Sequence, residues 1–312
     1  MLPLALILRA RGFEVEGSDR SLDAGRTAAK FEFLKARGVR LHPQDGSGVT
    51  SANQLLVASA AVEETVPDIM AAMRLGAPRT TRAELLADLF NAAPVSVAVG
   101  GTSGKSTTTG MVGWIFYATR RDPTVMNGAV MKNFVAGDNP YASAIVGEGE
   151  VFVSEVDESD GSIALYRPTV AVLNNIALDH KSMDELRQLF GDFVGRARTA
   201  VLNLDNAETR QLAQSLQLSG AITYSLEDRA AGLYGHDIVT APDGMSCIVT
   251  EAATGSQARV CLQTPGRHNL SNGLAAIAAA LACGIPLREA CNALMNFVGI
   301  RRRLEVVGTV RD

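Results

Sequence analysis

Short apolar runs recur along the chain, each closed by Gly, Asp, Ser or Asn and followed by a helix-length segment with a 3.6-residue apolar rhythm. That alternation predicts an α/β protein. The runs at Leu55 to Val57, Val95 to Val99, Val170 to Leu173 and Ala200 to Leu202 are nearly continuous, as expected of strands covered on both faces of a parallel sheet. Antiparallel structure is predicted only between Gly235 and Leu262, where Asp243-Gly244 and Thr254-Gly255 signal turns between short β-prone stretches. A helical stretch, Arg82 to Phe90, stops just before Pro94 and a new apolar strand begins, so a boundary at Asn91 to Pro94 predicts two domains, 1–93 and 94–312.

The first of these starts inside a helix, with Pro3 well placed at its beginning. A strand Phe13 to Glu16 and then Gly17-Ser18-Asp19 follow. In a doubly wound sheet a strand and a Gly-rich turn precede the first helix, so the expectation is that this strand is missing and that Met1 is an internal methionine or the chain is clipped. At the other end, Arg301 to Asp312 reads as the start of a strand.

Composition narrows the classes. With 312 residues, 47% apolar and 20% charged, 29 glycines and 11 prolines, the chain is an ordinary globular protein rather than a disordered or fibrous one. The net charge of -4 and the absence of a basic block argue against nucleic acid or an anionic bilayer as partner. None of the four cysteines makes the spacing of a zinc knuckle or a redox pair. The apolar opening from Met1 to Ala10 falls short of the ~20 residues of a membrane span, so the expectation is a cytoplasmic protein with no membrane contact.

Candidate chemistry begins at Val95, where strand, glycine loop and helix follow in order through Tyr117. Glycines let backbone amides turn inward as a nest for phosphate oxygens, and the helix N-terminus adds its dipole. Lys105 would reach the terminal phosphates and the Ser106 hydroxyl would ligate Mg²⁺. The standard loop has a glycine where this chain has Val99, so this is a variant form. After a strand-like Val151 to Val153, the box Ser154-Glu155-Val156-Asp157-Glu158-Ser159-Asp160 places carboxylates at a strand end, where ligands bind and where hard oxygens suit Mg²⁺. His180 follows the next strand and could ligate a second Mg²⁺ or orient a carboxylate. His268 and Asn269 stand near the start of an Ala-rich helix; Asn269 either caps it or binds adenine.

Taken in order, these motifs, with Asn175 to His180, Pro265-Gly266-Arg267-His268-Asn269 and Asn272, and Gly299 to Arg303, resemble the Mur ligases, the ATP-dependent amide-forming enzymes of peptidoglycan synthesis. In the first domain Gly17-Ser18-Asp19, Ser59-Ala60-Ala61 and Arg82 to Leu86 resemble the alanine-adding and peptide-recycling subgroup. The resemblance implies a Rossmann-like UDP-binding domain followed by a P-loop NTPase-like central domain with a parallel sheet. It implies ATP and Mg²⁺ as cofactors and the joining of L-alanine to UDP-N-acetylmuramate through an acyl phosphate. Murein tripeptide is the alternative acceptor, and a non-catalytic nucleotide- or UDP-sugar-binding module the alternative role.

Roles follow by position. Gly101, Thr102, Ser103, Gly104, Lys105, Ser106 and Thr107 would hold ATP, and Ser106 and Glu155 the first Mg²⁺. His180 would serve the second metal, Asn269 and Asn272 would meet adenine, and Arg302, or a neighbouring arginine of Arg301 to Arg303, the phosphates. Asp19 and Ser59 would bind the UDP part, and Lys132, Asn133, Ser159 and Asp160 the muramate side. Two departures from the family pattern are expected: the first Gly-rich strand and the third, amino-acid-binding domain are absent. The stretch Met183 to Phe193 has no lysine to carbamoylate, which fits the alanine-adding and recycling subgroup.

Overall fold

The computed structural model describes residues 1–137, 139–216 and 220–303. Backbone contacts divide the chain into two compact units, Met1–Leu89 and the part from Phe90 onward.

The first unit contains α1 (Leu2–Ala10), β1 (Glu16–Gly17), α2 (Arg20–Asp23), α3 (Ala28–Ala36), β2 (Arg40–Leu41), β3 (Leu56–Ala58), α4 (Pro67–Leu75) and β4 (Arg79–Thr81), and α5 (Arg82–Asn91) leads out of it. Its strands form two separate parallel pairs, β1 with β2 and β3 with β4. Leu6, Phe31, Leu34 and Val39 make a small apolar cluster. The strand predicted from Phe13 to Glu16 is found only as Glu16–Gly17, and Phe13 is 54% exposed. The reason lies in the helix before it. Gly12, at φ 85°, turns the chain, and the Phe13 amide bonds back to the Leu8 carbonyl, so Phe13 closes α1 instead of pairing.

The second unit is built on a sheet of ten strands. In chain order they are β5 (Val95–Gly100), β6 (Thr124–Met126), β7 (Ala144–Ile145), β8 (Val151–Glu155), β9 (Val170–Leu173), β10 (Thr199–Asn203), β11 (Ile222–Ser225), β12 (Leu233–Ala241), β13 (Gly244–Glu251) and β14 (Gln257–Leu262). Their spatial order is β14-β13-β12-β11-β10-β9-β5-β8-β6-β7. Pairing is parallel from β6 through β12, and antiparallel for β12, β13 and β14 and for β6 with β7. The meander from β12 to β14 falls where the Asp-Gly and Thr-Gly turns predict it. The apolar runs of β5, β8 and β9 are buried nearly throughout, which is the burial that continuous, non-alternating strands require.

The connecting helices are α6 (Lys105–Ala118), α7 (Met183–Gly195), α8 (Ala207–Leu216), α9 (Arg267–Ala282) and α10 (Leu287–Leu294). Every residue of α9 from Leu274 to Ala280 is buried, and the small alanine side chains let it lie close to α6 and the sheet. Phe90 is buried edge-on against Phe152 at 5.6 Å and Tyr166 at 5.0 Å, which ties the end of α5 to this unit, upstream of the Pro94 marker. Of the strand predicted over Arg301 to Asp312, Arg301–Arg303 form a turn and residues 304–312 lie outside the described residues. Among the described residues no helix is long and apolar enough to cross a membrane.

Candidate functional site

Strand β5 has parallel neighbours on both sides, β8 and β9, so its C-terminal tip opens at the middle of the sheet edge where parallel strands end. Gly100 passes into the loop Gly101–Gly104 and α6 begins at Lys105. Gly101 (φ 130°) and Gly104 (φ 81°) occupy the left-handed half of backbone space. A Cβ at Gly101 would lie 3.0 Å from the Asn175 carbonyl oxygen, and one at Gly104 would lie 2.6 Å from Asn272 Oδ1. Both positions therefore require glycine.

Asn175 stitches the loop to the tip of β9. It accepts from the Ser103 amide at 2.9 Å and donates to the Ser103 carbonyl at 3.0 Å, while its own carbonyl accepts from the Thr102 amide at 3.1 Å. The amides of Thr102 and Ser103 are thus engaged internally. The expectation that backbone amides of the loop form a nest for phosphate oxygens is corrected at these two residues. The start of α6 differs: Gly104 supplies no side-chain cap, leaving the first turn to present its amides and dipole.

A cleft of about 400 Å³ lies over this turn. Thr102 to Thr107, Glu155, Asn269, Asn272, Arg302 and Arg303 are among the residues that line it. Lys105 Nζ donates to the Gly101 carbonyl at 2.8 Å and to both oxygens of Glu158, at 2.8 and 3.0 Å. Glu155, at the end of β8, accepts from the Gly128 amide at 3.0 Å. A Cβ at Gly128 would fall 2.9 Å from a Glu155 oxygen, so a side chain there would displace that carboxylate. Its neighbour Asn127 is buried and donates to the Ser106 carbonyl at 3.0 Å, holding the start of α6. Asn127 and Gly128 are contributors the sequence reading passed over, and Glu158 stood in its acidic box without a role of its own. An Asn-Gly turn straight after the Val125 strand was the available signal for the first two.

Behind the cleft runs a buried chain of hydrogen bonds. Asn174 Nδ2 donates to Thr108 Oγ1 at 2.9 Å, and Thr108 Oγ1 donates to Asn272 Oδ1 at 3.3 Å. Asn272 Nδ2 then donates to Asn269 Oδ1 at 3.3 Å, and Asn269 Nδ2 to the Pro265 carbonyl at 2.7 Å. Asn269 lies inside the first turn of α9, whose N-cap is Gly266, so it does not cap that helix. His268, exposed, lines the cleft with its ring close to Gly266.

Other candidate residues fall elsewhere. His180 is not brought to the cleft: its side chain is 72% exposed and pairs with Asp179 at 3.4 Å, on a loop that turns outward with Leu178 74% exposed. Asn133 is a strut, donating to the Asn296 carbonyl at 2.7 Å and accepting from the Val298 amide at 3.0 Å, and the Lys132 amide donates to the Gly299 carbonyl at 3.1 Å. Together they hold the segment that carries Ile300 and Arg302 to the cleft wall. Ser159 folds onto Asp157, and Asp160 accepts from the Ser162 amide, both in an exposed turn after β8. In the first unit Asp19 caps α2 by accepting from the Ser21 amide at 2.7 Å, and Ser59 is exposed just past β3. Among the described residues no three His, Cys, Asp or Glu side chains converge as a metal site.

Residues 99–280 match the Mur ligase middle domain, and residues 1–93 match the Mur ligase family catalytic domain. The chain belongs to the Mur ligase family. The UDP-N-acetylmuramate–L-alanine ligase of Streptomyces coelicolor is 34% identical over 99% of this chain and 65% of its own length. That of a Synechococcus strain is 36% identical over 99% of this chain and 58% of its own length. The chain thus spans less than two thirds of the length of these relatives. Among solved structures, a murein peptide ligase from Psychrobacter arcticus superposes with a TM-score of 0.82 at 26% identity, covering 98% of this chain and 68% of that one. The UDP-N-acetylmuramate-alanine ligase of Thermotoga maritima gives 0.79 at 23% identity over 98% and 68%, and shares the fold. The mixed α/β architecture with a large, mostly parallel sheet is that of other Mur ligases.

Proposed function

We propose that this chain carries the ATP-binding and UDP-sugar-binding parts of an amide ligase that joins L-alanine to UDP-N-acetylmuramate. The observation that carries the reading is the single cleft in which Lys105, Ser106 and Glu155 meet at the tips of β5 and β8 in a Mur ligase fold. The substrates come from the names of relatives at 34 and 36% identity.

A carboxylate resists attack by an amine because its charge repels the nucleophile and oxide does not leave. Transfer of a phosphoryl group from ATP to the carboxylate removes both obstacles, and the amine then displaces phosphate through a tetrahedral oxyanion. The protein has only to hold two anions together and offset their charge. Here the uncapped first turn of α6 receives phosphate oxygens and Lys105 supplies a cation among them. Asn269 and Asn272, both on the cleft lining, are the proposed contacts of the base, and Arg302, also on that lining, adds charge.

Mg²⁺ takes oxygen ligands and typically one or two carboxylates besides the substrate phosphates. The Ser106 hydroxyl and the Glu155 carboxylate, on one cleft, fit that requirement; bound there, the ion would offset phosphate charge. His180, on its outward loop, does not join them. Asp19 and Ser59 remain the proposed contacts of the UDP part, in the first unit. A second acceptor class, a murein peptide, is favoured by the Psychrobacter structure, whose likeness is as strong as that of the alanine ligase structure.

The test is phosphate release from ATP with UDP-N-acetylmuramate and either L-alanine or murein tripeptide, together with fluorescent-nucleotide titration of the chain and of Lys105→Ala. We expect Lys105→Ala to lose nucleotide binding by at least about 100-fold; unchanged affinity removes the loop from the site. Nucleotide binding without phosphate release under any acceptor reduces the chain to a binding module.

A further inference from the structure

The acidic box after β8 holds several carboxylates, and the structure gives each a different occupation. Glu155 takes the Gly128 amide, Asp157 takes Ser159, and Asp160 takes the Ser162 amide. Glu158 alone turns under the loop to Lys105. Its side chain is 6% exposed against 16% for the lysine, so the pair is largely withdrawn from water.

An ammonium has three N–H donors. Those of Lys105 find the Gly101 carbonyl at 2.8 Å and the two Glu158 oxygens at 2.8 and 3.0 Å. The Gly101 bond ties the ammonium to the loop itself. Two oxygens of one anion hold the rest, which is how the oxygens of a phosphate group would engage it. Because a largely buried charge left without its partner is costly, Lys105 exchanges Glu158 only for another anion.

We propose that Glu158 is an internal substitute for phosphate, which occupies Lys105 while the loop is empty, yields it to an incoming polyphosphate and takes it back when that polyphosphate leaves. Glu158 is a positioning residue that acts through Lys105. The inference rests on the nucleotide-binding reading above and adds to it a selection: an anion with fewer phosphate charges competes less well with Glu158, so the exchange widens the preference for a triphosphate over a diphosphate. It also makes a counter-intuitive demand. Removing a buried acid from this loop must strengthen binding.

The experiment is metal-free calorimetric titration of the chain with ATP, ADP and inorganic tripolyphosphate, for the wild type, Glu158→Gln and Glu158→Asp, each checked by circular dichroism and melting temperature. For Glu158→Gln we expect tripolyphosphate and ATP to bind on the order of tenfold more tightly, as removal of one nearby negative charge predicts. ADP should gain more than ATP, so that the ATP-to-ADP ratio narrows. Glu158→Asp keeps the charge and withdraws the oxygens by one methylene, and its gain should be smaller but measurable.

A folded Glu158→Gln variant with unchanged or weaker affinity overturns the proposal. So does a Glu158→Asp variant equal to wild type beside a tighter Glu158→Gln, which assigns the effect to charge without exchange of contacts. If Glu158→Gln does not fold, Glu158→Asp decides alone: tighter supports, equal or weaker overturns. A chain that binds tripolyphosphate with this pattern but not ATP keeps the exchange and loses the nucleotide reading; binding neither ends both.

Discussion

The two units use the same parallel pairing to very different depth. In the second, Val97 to Val99 lie between β8 and β9 and are wholly buried; in the first, among the described residues, β1 pairs only with β2 and β3 only with β4, and their residues are half-buried or exposed. A parallel strand owes its stability to cover on both faces and to a partner on each edge. The comparison teaches that an apolar run specifies a strand only where neighbours complete it.

Hydrogen exchange is the sharpest way to break this contrast. We expect amides of Val97 to Val99 to be protected on the order of a thousandfold more than those of Glu16, Gly17 and Leu56 to Ala58. Equal protection would show the first unit to be as cooperative as the second. Core truncation comes next. Phe193 is fully buried with its ring packed on Gly100, where a Cβ would lie 3.1 Å away, and Phe193→Ala should cost about 3–5 kcal/mol in denaturant unfolding. Leu34→Ala, in the four-residue cluster of the first unit, should cost less, near the low end of the ~2–5 kcal/mol range for such truncations.

Two smaller effects refine the picture within the second unit. Ser182 and Glu185 form a reciprocal cap at the start of α7, and the hydrogen bonds from Ser182 hold the Glu185 carboxyl below its ordinary value. A depressed folded value stabilises above the ordinary carboxylate range and is lost as pH falls through that depressed value. Ser182→Ala should therefore lower the melting temperature at neutral pH, and the gap from wild type should shrink in acid. The smallest effect is chemical. Burial pushes the Cys247 and Cys291 thiols up to about 12, so iodoacetamide at pH 8 should leave both unmodified until denaturant is added, as read by mass spectrometry.

The central strands were legible because valines and alanines in unbroken runs have few other homes, as Val95 to Val99 and Val170 to Leu173 show. The glycine loop was legible because Gly101 and Gly104 stand at positions no side chain can share. What the sequence hid were choices made by packing. Phe13 to Glu16 alternates like a strand, yet the αL turn at Gly12 commits Phe13 to the helix before it. In the box from Glu155 to Asp160 every acid carries the same charge, and only the backbone course after β8 turns Glu158 inward, while Asp157 and Asp160 face water. His180 stands beside an aspartate in sequence, but its loop turns the ring outward. Asn133 looked available for a ligand, and the fold uses both atoms of its amide to fasten residues 296–298.

The row of amides and hydroxyl that begins at Asn174 and ends on the Pro265 carbonyl carries a further consequence. Each member hands its donor to the next, so Thr108 fixes the orientation of Asn272 and Asn272 that of Asn269. The positions of Asn272 and Asn269 on the cleft lining are thereby set from within, like marks on a ruler cut to one length. An exchange that removes the hydroxyl or an amide from one member therefore releases the orientation of those that follow it.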